Sequence, residues 1–276
     1  MRNLLFTAAA AAVVAAGSAN AAPVTYTGSQ STIQYNLPYV PGGVNWTGTQ
    51  YVYGTKVVYD SATGTYTVRD TGSTSKTSTF TTANSTVTND GTYTTYSKSG
   101  GETFKVLNPG ALGLTYVRYG KWRRTGITGN YFKNNDTYVV FGTPTTRSQM
   151  PRTGSASYST TYDGTFLNKD GLYSVAGTGT IDAFFGSNSL NFTATLAGTS
   201  EGAGPAINFG SFAGSGTISS RGSTFQGNDG SYNAEGYALS IRGGFYGPAA
   251  DEVGGNFTLT GNRTHNGSGT GAFVGN

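Results

Sequence analysis

The chain has no cysteine, a single histidine (His265) and only 11% charged residues. Each scarcity removes a class of function. Without thiols no disulfide can staple the fold and no thiolate can act as nucleophile or metal ligand, so stability has to come from a packed core. With one histidine, a metal site built on a histidine pair is excluded, and any catalytic triad must use His265. Apolar runs of membrane-spanning length are missing too. The longest, Asn3 to Ala16, falls short of the ~18 to 20 residues a spanning helix needs.

That run follows Arg2 and precedes Ala19-Asn20-Ala21. A positive start, an apolar stretch and a small-x-small site together read as a secretory signal peptide over residues 1–21. No cysteine stands at the cleavage site to carry a lipid. The mature chain is therefore expected to be secreted or at the cell surface, not lipidated, with the periplasm as alternative and no transmembrane segment after cleavage. About 255 residues remain, enough to bury roughly 70 to 75% of the unfolded surface.

Composition supplies the fold class. Gly (43) and Tyr (19) are abundant, threonine is frequent and helix formers are few, which suits pleated, half-buried surfaces. Aromatics at 13% and repeated two-residue alternation are more than a solvated coil requires. The expected class is all-β. Charge then divides the chain. Residues 22–152 hold 12 Lys and Arg against 5 Asp and Glu, whereas residues 153–276 hold 4 against 8. Such asymmetry argues for two units with different surfaces. Pro144 to Arg152, with two prolines and a polar run, is the candidate linker, giving a β-rich unit over 22–147 and a second over 148–276.

In the first unit Tyr51 to Tyr59, Gly64 to Arg69, Thr92 to Tyr96, Leu112 to Trp122 and Tyr138 to Phe141 alternate as strands. Pro38 and Pro41 bracket an early loop, and Thr71 to Asn89 reads as an exposed strand or loop. In the second, eight strands recur: Ser155 to Leu167, Leu172 to Phe185, Ser189 to Leu196, Ile207 to Ser219, Ser223 to Gln226, Tyr232 to Tyr246, Asn256 to Thr260 and Gly271 to Val274. Short turns join them, so an antiparallel up-and-down barrel is expected, its last strand paired with its first. An eight-stranded interior is just wide enough for side chains or one small ligand. Tyr158, Phe166, Phe184, Phe192, Phe209, Phe212, Tyr237, Phe257 and Phe273 are the candidates to fill it.

Ile241 to Gly261 forms a corner between two of these strands. Gly244, Phe245, Tyr246, Gly247 and Pro248 end one strand, and Gly254 with Gly255 opens the next. This pattern, with the terminal GAFVGN, resembles the last strands of the β-barrel domain of the bacterial transferrin-binding protein B family. That group also includes factor H-binding surface proteins and secreted haem-binding relatives. FGTP at Phe141 to Pro144 and MPRTGSASY at Met150 to Tyr158 add looser similarity over the C-terminal half. The resemblance implies a handle-like sheet before the barrel, a bacterial cell-surface or outer-membrane setting and binding in iron or haem acquisition. It implies a protein partner or nutrient-related ligand rather than catalysis. The chain has length for a single lobe. A soluble haem or small-solute carrier and a structural surface or matrix component are the alternatives.

Chemical motifs are sparse. Gly198 to Gly202 matches G-x-S-x-G around Ser200, but Pro205 follows where a helix would be needed. Asp251 with Glu252 reads as a solvated turn, and Gly267 to Gly271 lacks the strand-to-helix context of a phosphate loop. No metal site and no enzyme activity are expected. If the haem of the secreted relatives is bound, a side chain such as His265 or a tyrosine in a loop at the barrel mouth would ligate it. Arg118, Tyr119, Lys121, Trp122, Arg123 and Arg124 form the strongest basic stretch, with cations and aromatics on both strand faces. That mixture is the expected docking surface for a protein partner. Nucleic acid is not expected for an exported chain.

Overall fold

The computed structural model describes residues 23–38, 49–70, 77–128, 131–202 and 204–276. The expected signal peptide and Pro41 lie outside them, as do residues 71–76 of the polar stretch. Apart from one 3-10 turn at Ala111–Gly113, the regular structure among them is all strand. Nine strands form the first sheet: β1 (Val24–Pro38), β2 (Thr49–Asp60), β3 (Thr65–Asp70), β4 (Thr77–Phe80), β5 (Thr86–Asn89), β6 (Tyr93–Ser97), β7 (Thr103–Leu107), β8 (Val117–Thr128) and β9 (Tyr131–Gly142). Their order is β4-β3-β2-β1-β9-β8-β7-β6-β5.

This sheet curls over its own face. Phe80 on β4 stacks at 5.3 Å on Phe104 of β7, and Tyr66 on β3 lies 5.8 Å from Tyr96 of β6. Strands from opposite ends of the sheet thus share one core, with Val57, Val68, Trp122, Val139 and Phe141 at its base. β4 and β5, the two edges, are joined by residues 81–85, where Asn84 accepts from the Thr81 amide and donates to the Thr79 carbonyl.

The remaining strands are β10 (Ser155–Asn168), β11 (Gly171–Phe184), β12 (Ser189–Ser200), β13 (Ile207–Ile218), β14 (Thr224–Asn228), β15 (Tyr237–Tyr246), β16 (Glu252–Gly261) and β17 (Gly267–Gly275). They close into the expected antiparallel barrel. β17 pairs with β10 from Thr160↔Gly275 to Asn168↔Gly267, so no edge is left. β12 shows the physical cause plainly. Leu190, Phe192, Ala194 and Leu196 are buried while Asn191, Thr193, Thr195 and Ala197 face water, the period of a strand with one wet side.

Eight of the nine aromatics expected inside are there, packed in one cluster. Phe184 is the exception: it is 39% exposed and Phe185 is buried in its place. Parity explains the exchange. Tyr173, Val175, Ile181 and Ala183 point inward, so an even-numbered residue on the same strand must point out. The strand starting at Asn256 was expected too short. It begins at Glu252, because Glu252 and Val253 already pair with Tyr246 and Phe245.

β16 and β17 lose the wet side and are buried on both faces. The sheet covers them. Val117, Tyr119, Tyr138 and Val140 from β8 and β9 pack on Tyr246, Ala272 and Val274 of the barrel. Close approach demands small residues on the barrel here. A Cβ on Gly254 would lie 2.6 Å from Val117 Cγ2 and 3.1 Å from Val140 Cγ1. Gly254→Leu is therefore expected to lower stability by about 1–3 kcal/mol through overpacking, read as a drop in Tm, whereas Thr193→Leu on the exposed face of β12 should leave Tm nearly unchanged.

Candidate functional site

The basic strand β8 runs along the junction of sheet and barrel, and its side chains are engaged on both faces. On the even face, Arg118 donates to the Tyr66 hydroxyl at 3.0 Å and sits 5.2 Å from the Phe141 ring and 5.5 Å from that of Tyr59. Burial pushes the Tyr66 phenol up to about 12, although Arg118 pulls against it. Trp122 is buried, donates to Glu102 at 2.8 Å and carries the Arg124 guanidinium over its ring at 4.3 Å. On the odd face, Tyr119 donates to Asp163 at 3.0 Å. Lys121 donates to Thr165 of β10 at 3.0 Å and lies 3.2 Å from Asp136.

Arg123 completes this seam. Its Nε and Nη2 reach both oxygens of Asp136 at 2.7 Å, and Nη1 and Nη2 reach Glu201 of the barrel at 2.8 and 2.9 Å. Asp136 also accepts from Thr165 at 2.8 Å, and Tyr138 shares a 2.8 Å hydrogen bond with the same hydroxyl. Asp136 is fully buried. Burial alone would raise its pKa, but the Lys121 charge and the Arg123 hydrogen bonds outweigh it and hold the carboxyl at about 2. Glu201 is lowered in the same way, burial opposing Arg123 and Lys121. The six residues expected to dock a partner thus bind the chain to itself.

A second clamp went unseen in the sequence. Asp251 is exposed as expected, but Glu252 is only 4% exposed. Its carboxylate accepts from the backbone amides of Thr115, Tyr116 and Val117 at 2.6, 2.8 and 2.8 Å. The solvated-turn reading fails because the even face of β16, which would be outside in a lone barrel, lies under the sheet. Its signal was parity: Glu252 shares a face with Gly254 and Asn256. The corner it follows is also a junction, since Thr145 donates to the Gly247 carbonyl and Pro144 bridges to Tyr246.

His265 lies in the turn after β16, exposed, with its ring 5.0 Å from that of Tyr237. It is absent from the walls of the three cavities described for the molecule. Ser200 accepts from the Gly202 amide at 3.1 Å and sits at the end of β12 with no helix after it. Among the described residues no group of three metal-ligating side chains occurs.

The largest of those cavities is a groove of about 940 Å3 between β1 and the outer face of β13 to β16. Ser29 and Ser31 line one wall, and Gln226, Ser240, Arg242 and Asn256 the other. Strand register sets the second wall: Thr217 faces Gln226, Gln226 faces Arg242, and Arg242 faces Asn256. The corner residues Gly244, Phe245 and Tyr246 also border it. The Arg242 side chain is exposed and, among the described residues, has no hydrogen bond or ion pair. Nothing in the sequence singled it out. Its neighbours become neighbours only through pairing.

No protein-family model and no curated protein matches the chain. Solved structures are similar to it. A mutant transferrin binding protein B from Haemophilus parasuis Hp5 has a TM-score of 0.46 at 14% identity over 92% of this chain and 75% of that one. Intact Ap-TbpB, with N and C lobes, has a TM-score of 0.44 at 16% identity over 92% and 76%. The N-lobe of lactoferrin binding protein B from Moraxella bovis has a TM-score of 0.43 at 12% identity over 90% and 99%.

The seam predicts an acid response of definite sign. A carboxyl depressed to about 2 adds stability above the ordinary aspartate pKa near ~4, and that stability is lost as pH falls from there towards 2. The Tm of the intact chain should therefore drop between about pH 4 and pH 2. Asp136→Asn should cost about 3 kcal/mol at neutral pH, because Lys121 and Arg123 lose a buried partner. In thermal scans across this range the variant should show a flatter acid limb than the parent.

Proposed function

We propose that the chain is an exported binding protein of the transferrin-binding protein B-like type, working without catalysis and holding a protein partner or nutrient-related ligand. The observation that carries this reading is the open groove of about 940 Å3, with an uncommitted guanidinium on its wall. A volume in the range of ordinary ligand sites, set between two elements that a buried ionic seam holds in register, is a preformed place for recognition. Gly244, Phe245 and Tyr246 of the corner that carries the family resemblance border the same groove. The surface of the producing cell or its medium is the proposed place of action.

Two measurements test it. The mature chain, immobilised, is exposed to host serum and to a detergent extract of the producer's envelope. A specifically retained partner is expected, and retention should fall at least tenfold in Ser240→Trp, which fills the groove from an exposed strand position. Retention untouched by that substitution refutes the groove as the site. Fractionation of the producing cell should find the chain at the surface or in the medium. Recovery only from the periplasm turns the reading towards a solute carrier.

A further inference from the structure

Three further arginines gather at the end of the barrel where β11 turns into β12 and β13 into β14. A pocket of about 220 Å3 lies there. Arg147 and Arg152 line it from the stretch before β10, and Ser219, Ser220 and Gly222 line it from the turn after β13. Arg221 sits in that turn between the last two. All three arginines are exposed, and among the described residues none of their side chains has a hydrogen bond, an ion pair or a ring contact. One such arginine is ordinarily solvated. Three around one pocket repel each other, and no aspartate or glutamate lines the wall to offset them.

The backbone that presents them is pinned. Thr145 donates its amide to the Phe245 carbonyl at 2.9 Å and its hydroxyl to the Gly247 carbonyl at 2.7 Å. Next in the chain, the Thr146 amide and hydroxyl both reach the Gln149 side-chain oxygen, at 3.0 and 2.8 Å, and the Met150 amide returns to the Thr146 carbonyl at 3.1 Å. The facing turns are tied in as well: the Phe185 amide donates to the Gly154 carbonyl at 3.0 Å, and the Ile218 amide to that of Asn188 at 2.9 Å. Met150, Phe185 and Ile218 give the pocket an apolar floor, which strengthens the attraction between the arginines and an anion placed above it. Every polar side chain on its wall, arginine, serine or asparagine, is able to donate.

We propose that this pocket binds a phosphate monoester group, carried either by a free small molecule or by a lipid headgroup. A monoester brings nearly two negative charges and three acceptor oxygens, where a carboxylate or a phosphodiester brings one charge. Guanidinium groups fork onto phosphate oxygens in pairs, so Arg147 and Arg152 share the phosphate, Ser220 donates to it and Arg221 adds its charge from the turn. The volume is below that of ordinary sites for whole ligands, so the group enters and the rest of its molecule stays outside. Ser219 borders both this pocket and the groove, yet the anion site stands whatever the groove holds.

Isothermal titration of the mature chain with glycerol 3-phosphate tests it, with glycerophosphoglycerol as the singly charged diester. Saturable binding at one site per chain is expected, at least tenfold tighter for the monoester. Flotation with phosphatidylcholine vesicles containing phosphatidic acid, against vesicles of equal surface charge containing phosphatidylglycerol, separates the two sources. Retention by the phosphatidic acid vesicles alone assigns the lipid, and binding of glycerol 3-phosphate without vesicle retention assigns the free ester. The doubly substituted Arg147→Gln/Arg152→Gln chain, changed at exposed positions, should keep the parent Tm and lose at least tenfold in affinity. Arg242→Gln and Ser240→Trp, both on the groove, should bind the monoester as the parent does. Equal affinity for monoester and diester, no saturable binding in either format, a double variant that binds as the parent does, or a loss as large in Arg242→Gln would each overturn the proposal.

Discussion

Asp136 sits out of reach of water between Arg123 and Lys121, and the relation of sheet to barrel depends on it. A lone carboxylate in that position would be intolerable, and so would two lone cations. Together they form a set in which Arg123 holds Asp136 with two nitrogens and reaches across to Glu201, while Lys121 reaches Thr165 on β10. Such a set is satisfied in one arrangement only. Apolar contacts between Val117, Tyr138, Val140 and Ala272 supply the attraction, and the ions supply the register. Glu252, with three backbone amides, pins the other end of the same contact.

The barrel meets this constraint by changing its outer surface where the sheet lies. On β12 the outside is threonine, asparagine and alanine, a wet face. On β16 and β17 the outside narrows to Gly254, Asn256, Ala272 and Val274, and Asn256 donates to a carbonyl of β9. The interior is the same on both sides of the molecule, a continuous layer of rings that includes Tyr162, Phe166, Phe209, Phe257 and Phe273. Filled in this way it leaves recognition to the outside. The groove lies between β1 and the outer face of β13 to β15, while β1, β8 and β9 all pack on β16 and β17.

The alternation that built the barrel was visible in the sequence, and so was its closure, because one dry and one wet side leave a period of two that composition cannot imitate. Phe184 shows how local that signal is: counting from Val175 would have put Phe185 inside. The site was harder to see. A cluster such as RYGKWRR attracts notice as linear charge density, yet a strand sends its neighbours to opposite faces, and here one face met an aromatic core and the other a buried carboxylate. Arg242 stands alone in sequence, and its partners Gln226 and Asn256 are 16 and 14 positions away, joined to it only by register.

Charge that folding has neutralised and charge that folding has left open have to be told apart before a surface is read. In the basic half, Arg118, Lys121, Arg123 and Arg124 all have aromatic or acidic neighbours within the chain. In the acidic half, Arg242 has none among the described residues. A guanidinium already forked onto a buried carboxylate would have to give up that partner to bind anything else, at a cost of several kcal/mol. An exposed and uncommitted one gives up only water. The sign of the total charge therefore says little about which cations folding has left open.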